Sequence, residues 1–166
     1  MVDFDNIDSI KNSGFLGFKK VKELFLNDSS IPEKMGVYMI LYIGQQPPEF
    51  LKVGTGGHFK GKNPNVPIAV LDENWVENTC VIYIGKAGGV DSRATLRSRL
   101  RQYFRFGSGE NVGHYGGRLI WQLKNSRDLI VCWKPLQKEN PRSAEYELIT
   151  QFVLEYKKRP FANLTG

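Results

Sequence analysis

The chain has 166 residues, 41% of them hydrophobic, and 23 Lys and Arg against 17 Asp and Glu give a formal net charge of +6. A chain of this size buries a core without disulfide staples. Its two cysteines, Cys80 and Cys132, form no Cys-x-x-Cys pair, which excludes a disulfide framework, a zinc ribbon and thioredoxin-type chemistry. The longest apolar run, residues 37–43, is far short of the ~20 residues of a membrane span. The acidic N-terminus MVDFDNIDSI carries no apolar signal region. The expectation is a single basic domain, cytoplasmic and outside the membrane.

Residues 15–26 (FLGFKKVKELFL) mix apolar and basic residues at loosely helical spacing. They predict a short helix within a helical N-terminal stretch, 1–35, closed by the breakers between Asn27 and Pro32. Residues 36–43 (GVYMILYI) predict a buried strand, and 50–53 a further short one. Residues 54–65 (GTGGHFKGKNPN) read as a loop within an insert, 44–78. Its glycines invite a phosphate-loop reading, which fails. Three residues separate the glycines of GHFKGKN where four are needed, and Asn63 stands where a P-loop has Ser or Thr. Residues 79–84 (TCVIYI) predict a second strong strand, ended by Gly85. Residues 92–106 predict a helix with Leu96, Leu100, Tyr103 and Phe104 on one face. Residues 119–123 and 129–133 read as further strands. A last helix starts after Asn140, a good N-cap, with Pro141 in its first turn. Its stripe is Ala144, Leu148, Ile149, Phe152 and Tyr156, and Pro160 marks its end. Together these elements predict an α+β fold with a small, mainly antiparallel sheet of about three core strands flanked by helices.

The positive charge is concentrated. Between Lys86 and Arg127 stand nine basic residues and two acids. Such a field attracts polyanions, nucleic acid foremost. No His-Glu-x-x-His or Gly-x-Ser-x-Gly motif occurs, which excludes the usual zinc-hydrolase and serine-hydrolase signatures. At about 100° per residue, Arg93, Arg97, Arg101 and Arg105 recur along one flank of the basic helix. They read as backbone clamps for nucleic acid or as a solvated face. Arg99 falls on the other flank, beside Leu96 and Tyr103. In the last helix Glu145 lies between Leu148 and Ile149, inside the apolar arc, and Glu155 projects onto the same arc near the helix end. A carboxylate there is costly unless a partner or a metal compensates.

Five blocks then stand in order. Gly36-Val37-Tyr38 opens one strand and Tyr83-Ile84-Gly85, followed by Lys86, ends the next. Arg99-Leu100-Arg101-Gln102-Tyr103 lies on the basic helix and Glu145-Tyr146-Glu147-Leu148-Ile149 on the last one. Pro160-Phe161-Ala162-Asn163 closes the series. In this order they resemble the GIY-YIG nucleases, metal-dependent DNA-cutting enzymes with a small sheet flanked by helices. The resemblance covers residues 36–163. One departure is an enlarged spacing, about 44 residues between Tyr38 and Tyr83. The nearer Tyr42-Ile43-Gly44 is a decoy, too close to Tyr38 to begin a second strand.

The resemblance implies an endonuclease hydrolysing DNA phosphodiester bonds with one divalent cation, magnesium or else manganese, held by Glu145, phosphate and waters. It implies Tyr38 as general base or water-orienting group, made acidic by Lys86, Arg99 or the ion. Tyr83 would complete the polar network, Arg99 would meet the scissile phosphate, and Asn163 would tie the C-terminal segment to the site. Tyr103 stands where many members have His. Lys86, Arg93, Arg97, Arg101, Tyr103, Arg105, His114 and Arg118 are the expected DNA contacts, with His114 and Arg118 alternatively completing the site or lying in a surface loop. The same resemblance admits a binding module that kept the fold and lost cleavage. Monomer and homodimer stay open.

Overall fold

The protein is described by a computed structural model covering residues 1–164. Its organising element is strand β2 (Gly36–Leu41), buried at every position. A continuous apolar run has no solvent face, so it suits a central strand covered on both sides. Strands β3 (Val81–Ala87) and β4 (Ile130–Pro135) pair with it antiparallel, one on each side. Strand β1 (Leu16–Lys20) pairs antiparallel with β4, giving a four-stranded sheet in the order β1-β4-β2-β3. The α+β class with an antiparallel sheet is therefore as expected, with one strand more.

That strand corrects the reading of residues 15–26 as a helix. Only Val21–Leu26 is helical, as α2. Its first half makes β1, because β4 offers a free edge and hydrogen bonding to it outweighs a weak, short helical pattern. Gly17 permits the pairing: its φ is +95°, and a side chain there would meet the Trp133 ring. The stretch 1–35 is thus mixed, with helix α1 (Ile7–Asn12) before the strand. Residues 119–123 are a second correction. All but Leu123 belong to a 3₁₀ segment, Tyr115–Gln122, ending in the buried run Leu119, Ile120, Trp121 and Gln122. A short buried apolar run does not distinguish strand from helix. Of residues 50–53 only Phe50 makes a β-bridge, to Leu123. Within the insert a short helix α3 (Ile68–Asn74) forms that the sequence reading left out.

Two helices cover the sheet. Helix α4 (Leu96–Gly107) begins at a capping box formed by Thr95 and Ser98. It lays Leu96, Leu100, Tyr103 and Phe104 on the face that carries Tyr38, Ile40 and Trp133. Helix α5 (Pro141–Tyr156) begins at Asn140, whose side chain accepts from the Arg142 amide. Its Phe152, with Ala144, Leu148 and Ile149, packs on the face of Val37, Met39 and Cys132. Among the described residues no helix is long and apolar enough to cross a membrane.

A register shift between Ile40 and Leu41 shapes the site. Ile40 pairs with Tyr83 and Leu41 with Val81, so Ile82 is the extra residue of a bulge. In a regular strand Ile82 and Tyr83 would point to opposite faces. Here both join the cluster that holds Tyr38. Directly opposite Tyr38 is Gly85. A side chain at that position would collide with the Tyr38 ring, which is the physical need for glycine after Tyr83 and Ile84.

Candidate active site

Tyr38, Tyr83, Lys86, Arg99, Gln102 and Glu145 line one cleft of about 340 Å³. Four elements supply them: β2, β3, α4 and α5. The ring centroids of Tyr38 and Tyr83 are 6.0 Å apart, and that of Tyr103 lies 5.5 Å from Tyr83. Tyr103 and His114 stack at 3.7 Å with 17° between their planes. The Tyr38 hydroxyl lies 2.9 Å from His114 Nε2. The Tyr103 hydroxyl donates to the Gly117 carbonyl at 2.6 Å, which pins the loop bearing His114 to α4.

Tyr103 is therefore a correction to the expected DNA contacts, and of the two roles open to His114 the structure keeps the one inside the site. Both are buried, Tyr103 0% and His114 2% exposed, and neither can touch a bound duplex directly. Burial, then the Arg99 charge, holds His114 well below the usual imidazole range, so it is neutral at neutral pH. With its proton on Nδ1, its Nε2 accepts from Tyr38. The Nδ1 atom is buried without a partner among the described residues.

Burial also overturns the expected acidification of Tyr38. Desolvation, then Tyr83, pushes its phenol well above the ordinary value, and Arg99 offsets this only in part. Tyr83 is pushed up to about 12, chiefly by burial. Both tyrosines are neutral donors in the resting protein.

Arg99 donates from Nη1 to Gln102 Oε1 and to the Gly113 carbonyl, each at 3.2 Å. Neither acceptor is charged, and among the described residues no ion pair neutralises Arg99. Among the described residues its Nε and Nη2 have no partner and are free to bond an anion. Gln102 is a site residue the sequence reading missed, although its spacing of three residues from Arg99 on a helix is a usable signal.

The clamp arginines fare differently. Arg97 is held by Glu33 at 3.0 Å and by the carbonyls of Ile31 and Ser29. Arg101 bonds Asp28 at 2.7 Å and Arg105 bonds Glu110 at 3.1 Å. Three of the four expected clamps thus serve intramolecular ion pairs, which bind α4 to the segment before β2 and to its own C-terminal loop. Arg93 precedes α4 and is exposed, with no ion pair among the described residues. The Arg118 guanidinium stacks 3.9 Å over the Tyr115 ring.

Asn163 lies outside the cleft and takes the expected supporting place. Its side chain accepts from the Ile84 amide at 2.9 Å and donates to the Ile84 carbonyl at 2.8 Å. It extends β3 by one bidentate partner, beside Tyr83.

Glu145 is half-buried and makes no hydrogen bond or ion pair among the described residues. Desolvation raises its carboxyl pKa above the ordinary value, although Lys86, Arg99, Arg159 and Arg142 pull it down. Among the described residues no group of three His, Cys, Asp or Glu could hold a metal. The donor set is one unpartnered carboxylate at a cleft with two cations. That set fits a hard cation which keeps most of its waters and shares a phosphate, as Mg²⁺ does.

A stability prediction arises here. A carboxyl whose folded-state pKa is raised is protonated more readily in the folded than in the unfolded chain. Its ionised form therefore costs stability above the raised value, and the cost vanishes as pH falls below the unfolded value of ~4.3. Glu145→Gln is expected to melt above the wild type at neutral pH in EDTA, with the gap closing near pH ~4. Thermal melts at the two pH values measure it; equal melting temperatures at neutral pH contradict it.

Compared with protein-family models, with curated proteins and with solved structures, the chain matches none.

Proposed function

We propose that this protein is a nuclease of the GIY-YIG kind that hydrolyses phosphodiester bonds in DNA using one divalent cation. The observation that carries the reading is the convergence of Tyr38, Tyr83, Arg99 and Glu145 on one cleft from four separate elements.

Phosphodiester hydrolysis needs an oriented water, a place for its proton and charge stabilisation at the phosphoryl oxygens. Glu145 would hold the cation, Mg²⁺ or Mn²⁺. When bound, the cation supplies Lewis-acid stabilisation of the phosphate and lowers the pKa of coordinated water. Arg99 offers Nε and Nη2 to the phosphate oxygens, with Gln102 and the Gly113 carbonyl fixing its plane. Lys86 adds a second positive charge at the same cleft.

A neutral Tyr38 accepts a proton from water only as it passes its own to another base. His114 Nε2, at 2.9 Å, is that base. A phosphodiester entering beside Arg99 brings a negative charge that offsets the guanidinium and raises the basicity of His114. Tyr38 is thus a relay between water and imidazole rather than a resting phenolate. Tyr83 completes the hydroxyl network, and Asn163 holds the strand that carries it.

The rival reading is a binding module without cleavage. The unpaired carboxylate of Glu145 favours the enzyme, because a surface that only holds phosphates gains nothing from a desolvated negative charge among them. Supercoiled plasmid tests this. Magnesium or manganese with the wild type is expected to nick or linearise it, and EDTA to stop the reaction. Retention of plasmid with no cut in either metal favours the binding module.

A further inference from the structure

We infer that the insert segment 54–65 forms a wall beside the cleft whose Lys60 and Lys62 hold the phosphate backbone of the nucleic acid flanking the cleaved bond; this rests on the nuclease reading above.

The position of the wall follows from a chain of contacts. Arg99 and Gln102 line the cleft, and Arg99 donates to the Gly113 carbonyl. A methyl group on Gly113 would lie 3.4 Å from the Phe59 ring and 3.5 Å from Gln102 Nε2. Phe59 therefore abuts the cleft wall, and Lys60 and Lys62 follow it in the chain. Tyr115 closes the circuit: its hydroxyl donates to the Asn63 carbonyl at 3.2 Å, with Lys62 Nζ 5.6 Å from its ring centroid.

The segment is fastened down. Buried Gln122 accepts from the Val66 amide and donates to the carbonyls of Leu51 and Val66. Asn65 accepts from the Gly54 amide and Asn111 from the His58 amide. Gly57 packs where any side chain would strike the Glu110 carbonyl. At the tip Lys60 has φ +54° and Gly61 φ +74°. Two successive left-handed residues turn the backbone sharply, and nothing lies within 4 Å of a side chain built on Gly61. Lys60 and Lys62 are exposed.

Charge identifies the occupant. Residues 50–71 contain Lys52, Lys60 and Lys62 and no acid. None of the three makes an ion pair among the described residues, whereas Arg97, Arg101 and Arg105 on α4 all do. Beside the cleft, Lys60 and Lys62 thus keep a charge that no described carboxylate pairs, unlike the three arginines on the flank of α4. Ordered, unpaired cations beside a phosphate-binding cleft suit a polyphosphate backbone.

The test measures how the affinity for a fluorescent DNA duplex falls with salt, using the full chain carrying Glu145→Ala so that the duplex stays uncut. Each lost phosphate contact flattens the slope of log K against log salt by about 0.9. Adding Lys60→Ala and Lys62→Ala is expected to flatten it by about 2 and to weaken low-salt binding at least about tenfold. Lys60→Glu with Lys62→Glu weakens it further, and the melting temperature stays unchanged because both side chains are exposed. Lys11→Ala with Lys19→Ala, on α1 and β1, leaves the slope as it was. A Lys60/Lys62 slope equal to that of this control overturns the inference while leaving the nuclease reading standing. A parent chain with no affinity for the duplex overturns both.

Discussion

Glu145→Ala is expected to lower plasmid cleavage by about 10³-fold, since metal-centred charge stabilisation is worth several kcal/mol and each 1.36 kcal/mol is a factor of ten. Binding of the duplex should survive, because the change removes a negative charge from a cleft that also holds Lys86 and Arg99. The fold should survive too, as Glu145 has no hydrogen-bond partner among the described residues and burial disfavours its ionised form. The combination of lost cutting with retained or tightened binding separates a cation-holding role from a structural one. Initial rates of nicking in magnesium, beside the duplex titration, measure both. Undiminished cutting by Glu145→Ala removes Glu145 from the chemistry.

Arg99→Ala is expected to cost on the order of 10³-fold as well, the range in which a guanidinium on a transferring phosphoryl group operates. Arg99→Lys tests the cause. It keeps the charge and the helix propensity of α4 but loses the planar fork. If two parallel bonds to phosphate matter, Lys restores less than about a tenth of the lost rate. If charge alone matters, Lys restores nearly all of it. Arg97→Ala is the comparison on the same helix. It breaks the pair with Glu33 and two bonds to backbone carbonyls. Its effect should therefore appear in the melting temperature and not in the rate at saturating DNA.

The contrast between these arginines separates what spacing can and cannot tell. The helical wheel set Arg99 apart from the other four, and the structure keeps that separation. It could not tell which of them were neutralised. Glu33 and Asp28 lie 64 and 73 residues before their partners, and no local pattern encodes such a pairing. The charged flank of α4 was legible; its ion pairs to the segment before β2 were not. Lys60 and Lys62, which no described carboxylate pairs, sit instead on an insert whose sequence reads only as a glycine-rich loop.

The same division holds for the site. Glu145 was legible only in part as a carboxylate inside an apolar arc, a costly position that Glu155 shares; the order of the blocks selected it. Tyr38 and Tyr83 were legible as a pair only through the order of the blocks, since aromatics in strands are ordinarily core. His114 was not legible as a buried partner of Tyr38. It lies in an irregular segment without periodicity, and its stacking on Tyr103 exists only once α4 and that segment are packed together. The phenol of Tyr38 also ran against expectation, because burial is a property of the assembled core and outweighs the nearby guanidinium.

Local chemistry was enough for β2, β3, α4 and α5: apolar runs, helical stripes, the Asn140 cap and the glycine facing Tyr38 are written in neighbouring residues. The edge strand β1, the bulge that turns Ile82 and Tyr83 to one face, the 3₁₀ state of residues 119–122 and the anchoring of the insert by Gln122 arose only on folding. Each depends on a partner distant in the chain. The free energy of such pairing, whether a strand edge, a buried amide or an opposite charge, is available only when the two segments meet.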